Sequence, residues 1–310
     1  MAINTLETAI LFEQKLDLIA IQDATTGWMD SNSGQIKYTG GAEVKIPKMS
    51  LQGLADYDRE KGYTTGSITF GYETKTMTQD RGRRFTLDAM DTDETNFVVN
   101  ASTVMSNFQR EYITPEIDAY RISAVVSQAI AANKAGMVEY GYNPTDKNVS
   151  ALRKIKTGIS AVQSNGYNGS LVIQATPEFI LELEIELSGR ITSVDFAKGG
   201  INTKVPAIDG VPIIHTPVNR MYSAIKILDG KTGGQEVGGY EKGATAKNVN
   251  FIVCATTTPV AVTKQDKMRI FDPDTYQDAN AWAIDYRRFH DLWIPDNKLD
   301  SIYVSIKDSE

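Results

Sequence analysis

A few short stretches of this chain carry the residue types from which active sites are made. Asp229-Gly-Lys-Thr-Gly-Gly has the glycines and lysine of a phosphate-binding loop. Such a loop needs a further glycine five positions before Gly230, so that successive amides can cradle the phosphate; Ile225 stands there. The stretch Gly230 to Gly243 therefore reads as a mobile, glycine-rich surface loop. Asp272, Asp274 and Asp278 offer carboxylates at short spacing, but the calcium-loop pattern fails at Tyr276 and Gln277. A turn capped by aspartates fits them better. His215 and His290 are the only histidines, and neither stands in an H-x-x-x-H or C-x-x-C arrangement. Each reads as a packed or surface residue. Cys254 is the single cysteine and lies within an apolar strand signal, as an inert core residue does. One cysteine excludes an intrachain disulfide and a multi-cysteine zinc cluster. There is no nucleophile elbow. No catalytic residue, cofactor or metal is expected.

The densest basic cluster is Arg81-Gly-Arg83-Arg84, and the acidic residues Asp56, Asp58, Glu60 and Asp118 read as solvated charge. The stretch Asp56, Asp58, Arg59, Glu60 and Lys61 near the hairpin tip stands beside the basic cluster as a contact candidate. Both suit contacts with another protein. The 39 acidic and 32 basic residues give a net charge of -7, whereas a dedicated nucleic-acid binder is usually basic. Arg84 alternates with Phe85 and Leu87, so it should point away from their apolar face. Gly82 is expected to let the backbone bend there. The three arginines are expected to reach carboxylates on an adjacent subunit, where a guanidinium fork fixes orientation.

The elements that must position these residues are elongated. Asp91 to Asn133 opens with a cap signal at Asp91 and Glu94, then repeats Phe97, Ala101, Val104, Met105, Phe108 and Tyr112 at helical spacing. Pro115 should kink or interrupt it, and Gly136 should stop it. About 40 helical residues would span roughly 60 Å, against a diameter of roughly 50 Å for a compact chain of this length. Before the helix, Val44 and Ile46 alternate with polar residues, as do Ile68, Phe70 and Tyr72, and Phe85 and Leu87. The span from Ser50 to Gly66 is polar and glycine-punctuated. Together these read as one long hairpin with a charged tip and little core of its own. After the helix come Val149 to Ser164 as a second helix, Leu171 to Ile173 as a buried strand, and a helix opened by Thr176-Pro177. Ile208-Asp-Gly-Val-Pro-Ile-Ile is a turn followed by a strand, and further strands follow at Phe251 to Val262, Met268 to Phe271, Trp282 to Tyr286 and Ile302 to Ile306. The apolar phase slips between Tyr286 and Phe289, which points to a bulge near Arg287–Arg288. The first 22 residues lack a basic leader and a continuous apolar run, and Leu6, Ile10 and Leu16 suggest a short amphipathic helix.

This order of parts resembles the major capsid protein of tailed bacteriophages, whose fold is shared with encapsulins and the herpesvirus capsid floor. The local resemblance lies in Thr78-Gln-Asp-Arg-Gly-Arg-Arg-Phe-Thr-Leu-Asp, in Phe108-Gln-Arg-Glu-Tyr-Ile-Thr-Pro-Glu-Ile-Asp-Ala-Tyr-Arg and in Gln277 to Trp293. It covers nearly the whole chain, and its motifs are structural rather than catalytic. It implies an α+β fold: an N-terminal arm (1–30), an extended β-hairpin loop (31–88), a peripheral domain with a spine helix (89–150 and 264–310) and a mixed α/β axial domain (151–263). It implies hexamers and pentamers closing an icosahedral head around double-stranded DNA, in a virion assembled in the host bacterial cytoplasm. The partners implied are copies of the chain itself, a separate scaffolding protein, a portal, and DNA by weak nonspecific proximity; no membrane is implied. Some relatives cross-link through lysine and asparagine; Lys48 and Lys61 lie near the tip, but no sequence signal marks them for it. The short arm implies that a cleaved scaffolding segment is absent, already removed or supplied separately. The rival readings are an encapsulin-type compartment and, from another class, a hydrolase using Asp272 or His290. The hydrolase would need a deep pocket, which an assembly-dependent subunit is not expected to have.

Overall fold

A computed structural model describes residues 24–35, 37–38, 41, 43–88, 104–187, 192–198 and 201–310. The expected amphipathic arm helix and the Asp91–Glu94 helix start lie outside these residues.

The chain enters through a 3-10 turn, Gly27–Gln35, and a two-residue strand β1 (Lys37–Tyr38). Strands β2 (Glu43–Leu51) and β3 (Ile68–Thr76) then form an antiparallel ribbon in continuous register from Glu43↔Thr76 to Leu51↔Ile68. The second half of the expected hairpin behaves differently. Strand β4 (Gln79–Asp88) leaves the ribbon at Met77–Thr78 and pairs over its full length with β14 (Ala281–Trp293), which also pairs with β13 (Val260–Phe271). Residues 79–88 thus belong to a sheet built with the end of the chain, not to the excursion. Gly82 does not bend the strand. It lies in the straight ladder, and a Cβ there would stand 2.8 Å from the Tyr286 carbonyl oxygen, so the residue permits close strand approach.

Helix is present from residue 104 onward. Pro115 neither breaks nor ends it. A π-helical turn, Gln109–Ile113, precedes α1 (Thr114–Ala132), and the Thr114 amide donates to the Gln109 carbonyl five residues back. Proline cannot donate to a carbonyl four residues back and its ring crowds that carbonyl; one widened turn removes both problems. The stop is Asn133, held left-handed at φ 44°, rather than Gly136.

Beyond α1 come β5 (Val138–Glu139), α2 (Ala151–Ser164, capped by the Ser150 hydroxyl), β6 (Leu171–Ala175) and α3 (Pro177–Leu187). Strands β7 (Thr192–Lys198), β8 (Ile201–Ile208) and β9 (Val211–His215) follow, then the small hairpin β10 (Ile225–Ile227) with β11 (Tyr240–Lys242). Strand β12 (Val249–Ala255) and the last strand β15 (Ile302–Ile306) complete a sheet of order β5-β15-β12-β6-β9-β8-β7. Its central strands are buried on both faces, which explains their unbroken apolar runs. One face carries α1, with Ile122, Val125 and Val126 against Ile252, Cys254, Ile302 and Val304. The other carries α2 and α3, with Ile155, Phe179 and Leu183 against Phe251, Val253 and Tyr303. Helix α2 comes so close that a Cβ on Gly158 would meet the Tyr303 ring at 2.7 Å. Thus β15 sits among strands of the expected axial domain. The chain changes sheet in the 256–259 turn, within the span assigned to the axial domain.

The register irregularity lies on β13, between Thr263 and Gln265, opposite His290 and Phe289; Lys264 is the extra residue. Strand β14 itself pairs with β4 without a slip. Its apolar phase changes because its end is covered on both sides: Leu292 faces the core under α1, while Phe289 and Trp293 face the ribbon base.

Candidate assembly surfaces

The ribbon changes face along its length. At its base, Val44 and Ile46 are buried together with Met77, Val260, Val262 and Trp293. Lys48, on the same side of the strand, reaches Asp296 of the body at 3.1 Å. The opposite side is apolar in the distal half. Register places Pro47 beside Tyr72, Met49 beside Phe70 and Leu51 beside Ile68, and Met49 and Phe70 are each 58% exposed. The Phe70 and Tyr72 rings meet edge to face at 5.1 Å. The body covers only the proximal end of the ribbon, so this distal apolar face lies open to solvent. The signal was present in the sequence: buried residues fall on even positions at 44 and 46, then apolar ones on odd positions at 47, 49 and 51.

The tip, 52–67, is folded on itself. Asp58 and Gly62 exchange backbone hydrogen bonds, and the Asp58 carboxylate accepts from the amides of Glu60 and Lys61. Asp56, Asp58, Arg59, Glu60 and Lys61 are all exposed.

Each arginine of β4 has partners within its own copy. Arg81 is forked onto Glu116 of α1, with Nε to Oε1 at 2.7 Å, and its Nη1 donates to the Leu228 carbonyl at 2.9 Å. Arg84 is forked onto Asp285 across the ladder, at 2.5 and 2.8 Å; the guanidinium holds that carboxyl below its usual range. Arg83 spends its donors on the carbonyls of Glu236 and Val237. Sequence spacing could not show these partners, which lie 35 to 201 positions away. Arg81 and Arg83 also hold down the β10–β11 loop. The loop is tied at its neck by the Leu228 amide on the Gly239 carbonyl. Its phosphate-like turn is filled from within, since the amides of Lys231 and Thr232 donate to Asp229, whose carboxyl is lowered to about 2 chiefly by the Thr232 hydroxyl. The expected mobile loop is thus an anchored hairpin tip.

Between α1, β4, β14 and this loop opens a half-open cleft of about 510 Å³. Phe85, Phe108 and Tyr286 form its apolar part, and Arg81, Arg83, Arg288 and His290 its polar part. His290 is buried, packs edge-on against Tyr120 at 5.5 Å, and is held well below its ordinary pKa, first by burial and then by Arg288, Arg121 and Arg81. Among the described residues no serine, threonine or cysteine lines the cleft. Asp272 accepts from the Thr275 amide and hydroxyl in the β13–β14 turn. Cys254 is core, and His215 is an exposed strand end.

Asp118, expected to be solvated charge, is instead buried, at the centre of a cluster whose partners are remote in sequence. The fully buried Asp118 of α1 accepts from the amides and hydroxyls of Thr25 and Thr26 and from Arg220 at 2.7 Å. The neighbouring Arg121 forks onto Asp30. Two charges one turn apart therefore lock the incoming chain across the helix.

No family model and no curated protein matches this sequence. Solved structures do match. A chain from Mycobacterium phage Che8 aligns at TM-score 0.51 and 10% identity, over 87% of this chain and 86% of that one. The mature capsid of bacteriophage PhiM1 aligns at 0.56 and 12%, over 86% and 82%. The capsid of cyanophage P-SCSP1u aligns at 0.53 and 12%, over 87% and 84%. The chain has the tailed-phage major capsid fold. Among the described residues no group of side chains is arranged to hold a metal, and no helix is long and apolar enough to cross a membrane.

Proposed function

We propose that this chain is a shell subunit, which assembles with its own copies through hexamers and pentamers into an icosahedral head around double-stranded DNA. The observation that carries the proposal is the two-faced ribbon. Its base is sealed into the subunit, and its distal half presents a contiguous aromatic and aliphatic face to solvent. Exposed apolar patches of this kind mark protein–protein surfaces, and a second copy is the partner that the capsid fold supports. The capsid fold's other elements suit this use. A rigid spine, pinned at Asp118 and Arg121, fixes where the ribbon and the incoming chain leave the body. The acidic balance suits a lining that lies near DNA without gripping it.

Electron microscopy and sedimentation of the purified chain, over a range of concentration and with a co-expressed scaffolding protein, test the proposal. Capsomers or closed shells are expected. A chain that stays monomeric under every condition contradicts it.

A further inference from the structure

We infer that the cleft between α1, β4, β14 and the β10–β11 loop is a binding site for a small, neutral, planar aromatic molecule with a carbonyl or amide edge. This is independent of the shell reading. Aromatic rings gather around Phe108. Phe85 stands edge-on to it at 4.8 Å, Tyr286 edge-on at 6.3 Å, and Tyr112 lies tilted beside it at 5.8 Å. All four line the cleft, and Tyr112 is exposed. Rings that border open space favour a further ring, which can stack offset or meet them edge-on. The volume of about 510 Å³ falls in the ~300–1,000 Å³ range of small-molecule sites.

The polar edge of the ligand follows from β14. Arg288 and His290 stand on the same side of that strand as Tyr286, and both line the cleft. His290 is only 3% exposed, and its Nδ1 has no hydrogen-bond partner. Arg288 gives Nη1 to Asp266 at 2.6 Å, but its buried Nε has no partner either. Buried polar atoms left unpaired cost free energy, and a group entering the cleft would pair them. The Arg288 Nε–H donates, so it calls for an acceptor oxygen; a neutral imidazole nitrogen donates or accepts according to its tautomer. The neighbouring cleft along Ser123 and Ser127 of α1 lacks this feature. Its buried carboxylate, Asp291, already accepts from Thr78, Tyr120 and the Leu292 amide.

Charge separates a neutral ligand from an ionic one. Arg81, Arg83 and Arg288 line the cleft together with Glu116, Asp229 and Glu236, so guanidiniums and carboxylates are equal in number there. Glu116 is forked by Arg81, and Asp229 is filled by amides of its own loop. Burial holds His290 neutral. Neither an anion nor a cation finds a surplus of opposite charge, and either would give up its hydration on entry.

The test titrates the purified full-length chain with prodan, a neutral naphthyl ketone whose emission moves to the blue when it leaves water. Saturable, stoichiometric binding is expected; no binding overturns the inference. Methyl naphthyl ketone should displace the dye. Ethylnaphthalene, which lacks the carbonyl, and naphthoate, which adds a charge, should each displace it on the order of tenfold less well. Equal displacement by all three, or the strongest displacement by naphthoate, overturns the inference. Two variants place the site. Tyr112 is exposed, so Tyr112→Ala should keep its melting temperature and weaken the dye by roughly fivefold. Met49→Ser with Phe70→Ser, on the exposed ribbon face, should leave binding unchanged. The reverse pattern puts the dye on the ribbon and overturns the site. Bound dye should also slow amide hydrogen exchange in 228–239 and 108–117; protection confined to other segments overturns it as well.

Discussion

The two halves of the β2–β3 ribbon have the same backbone and opposite surroundings. In the proximal half, Val44 and Ile46 are sealed beneath Val260, Val262 and Trp293. In the distal half, Met49, Leu51, Ile68 and Phe70 have comparable hydrophobicity and face water. Strand pairing is continuous through both, so hydrogen bonding does not distinguish them. What differs is that the body covers the proximal half and leaves the distal half open. A two-stranded ribbon gains little stability by itself, so the proximal contacts hold it to the subunit. The distal apolar residues bury little against that subunit, and the proposed shell assigns them to a partner.

The strongest way to break this comparison is at the base. Trp293→Ala should lower subunit stability by about 3–5 kcal/mol, as large core truncations do, read by chemical denaturation. A loss below ~1 kcal/mol would mean that the proximal half is not anchored.

A smaller effect sharpens the role of the body beside the ribbon. His290 is kept neutral in the folded chain by burial, so only the unfolded chain takes up a proton there near pH 6.5. Its contribution is full above that pH and is lost progressively as pH falls toward the depressed folded value. Between pH 6.5 and 5 subunit stability should therefore fall by up to ~1.4 kcal/mol per pH unit. Asp80 and Asp285, lowered chiefly by Arg287 and Arg84, lose their contributions at lower pH, from the ordinary carboxylate range down toward their depressed values. His290→Phe should flatten the slope in the upper window; an unchanged slope would place the proton elsewhere.

Smaller still is the difference between two arginines of one strand. Arg81→Ala removes a partly buried fork and a carbonyl contact, and should cost about 1–3 kcal/mol while loosening the β10–β11 loop to hydrogen exchange. Arg84→Ala removes an exposed pair, and its small effect on melting should vanish in high salt. Equal effects would contradict the assignment of Arg81 as the loop's anchor.

Local sequence signals showed the elements and their order. Thr176-Pro177 opens α3, and Ile208-Asp-Gly-Val turns between β8 and β9, because caps and turns act over a few residues. Partners distant in sequence were hidden. The alternation of 79–88 resembled that of 68–76, and only tertiary pairing sends one to β14 and the other to β2. The arginines likewise looked unpartnered because Glu116 and Asp285 are remote. Pro115 looked like a break because a π turn leaves no mark in apolar spacing. The outward ribbon face was legible in the parity change after Ile46, but it emerges only when register is known.

The central claim is that the distal ribbon face serves other copies and not its own. The most direct measurement is a paired one on Met49→Ser with Phe70→Ser, comparing melting temperature with sedimentation. The account predicts an unchanged subunit melt and the loss of capsomers and shells. Intact assembly, or a subunit that unfolds with its assembly, would contradict it.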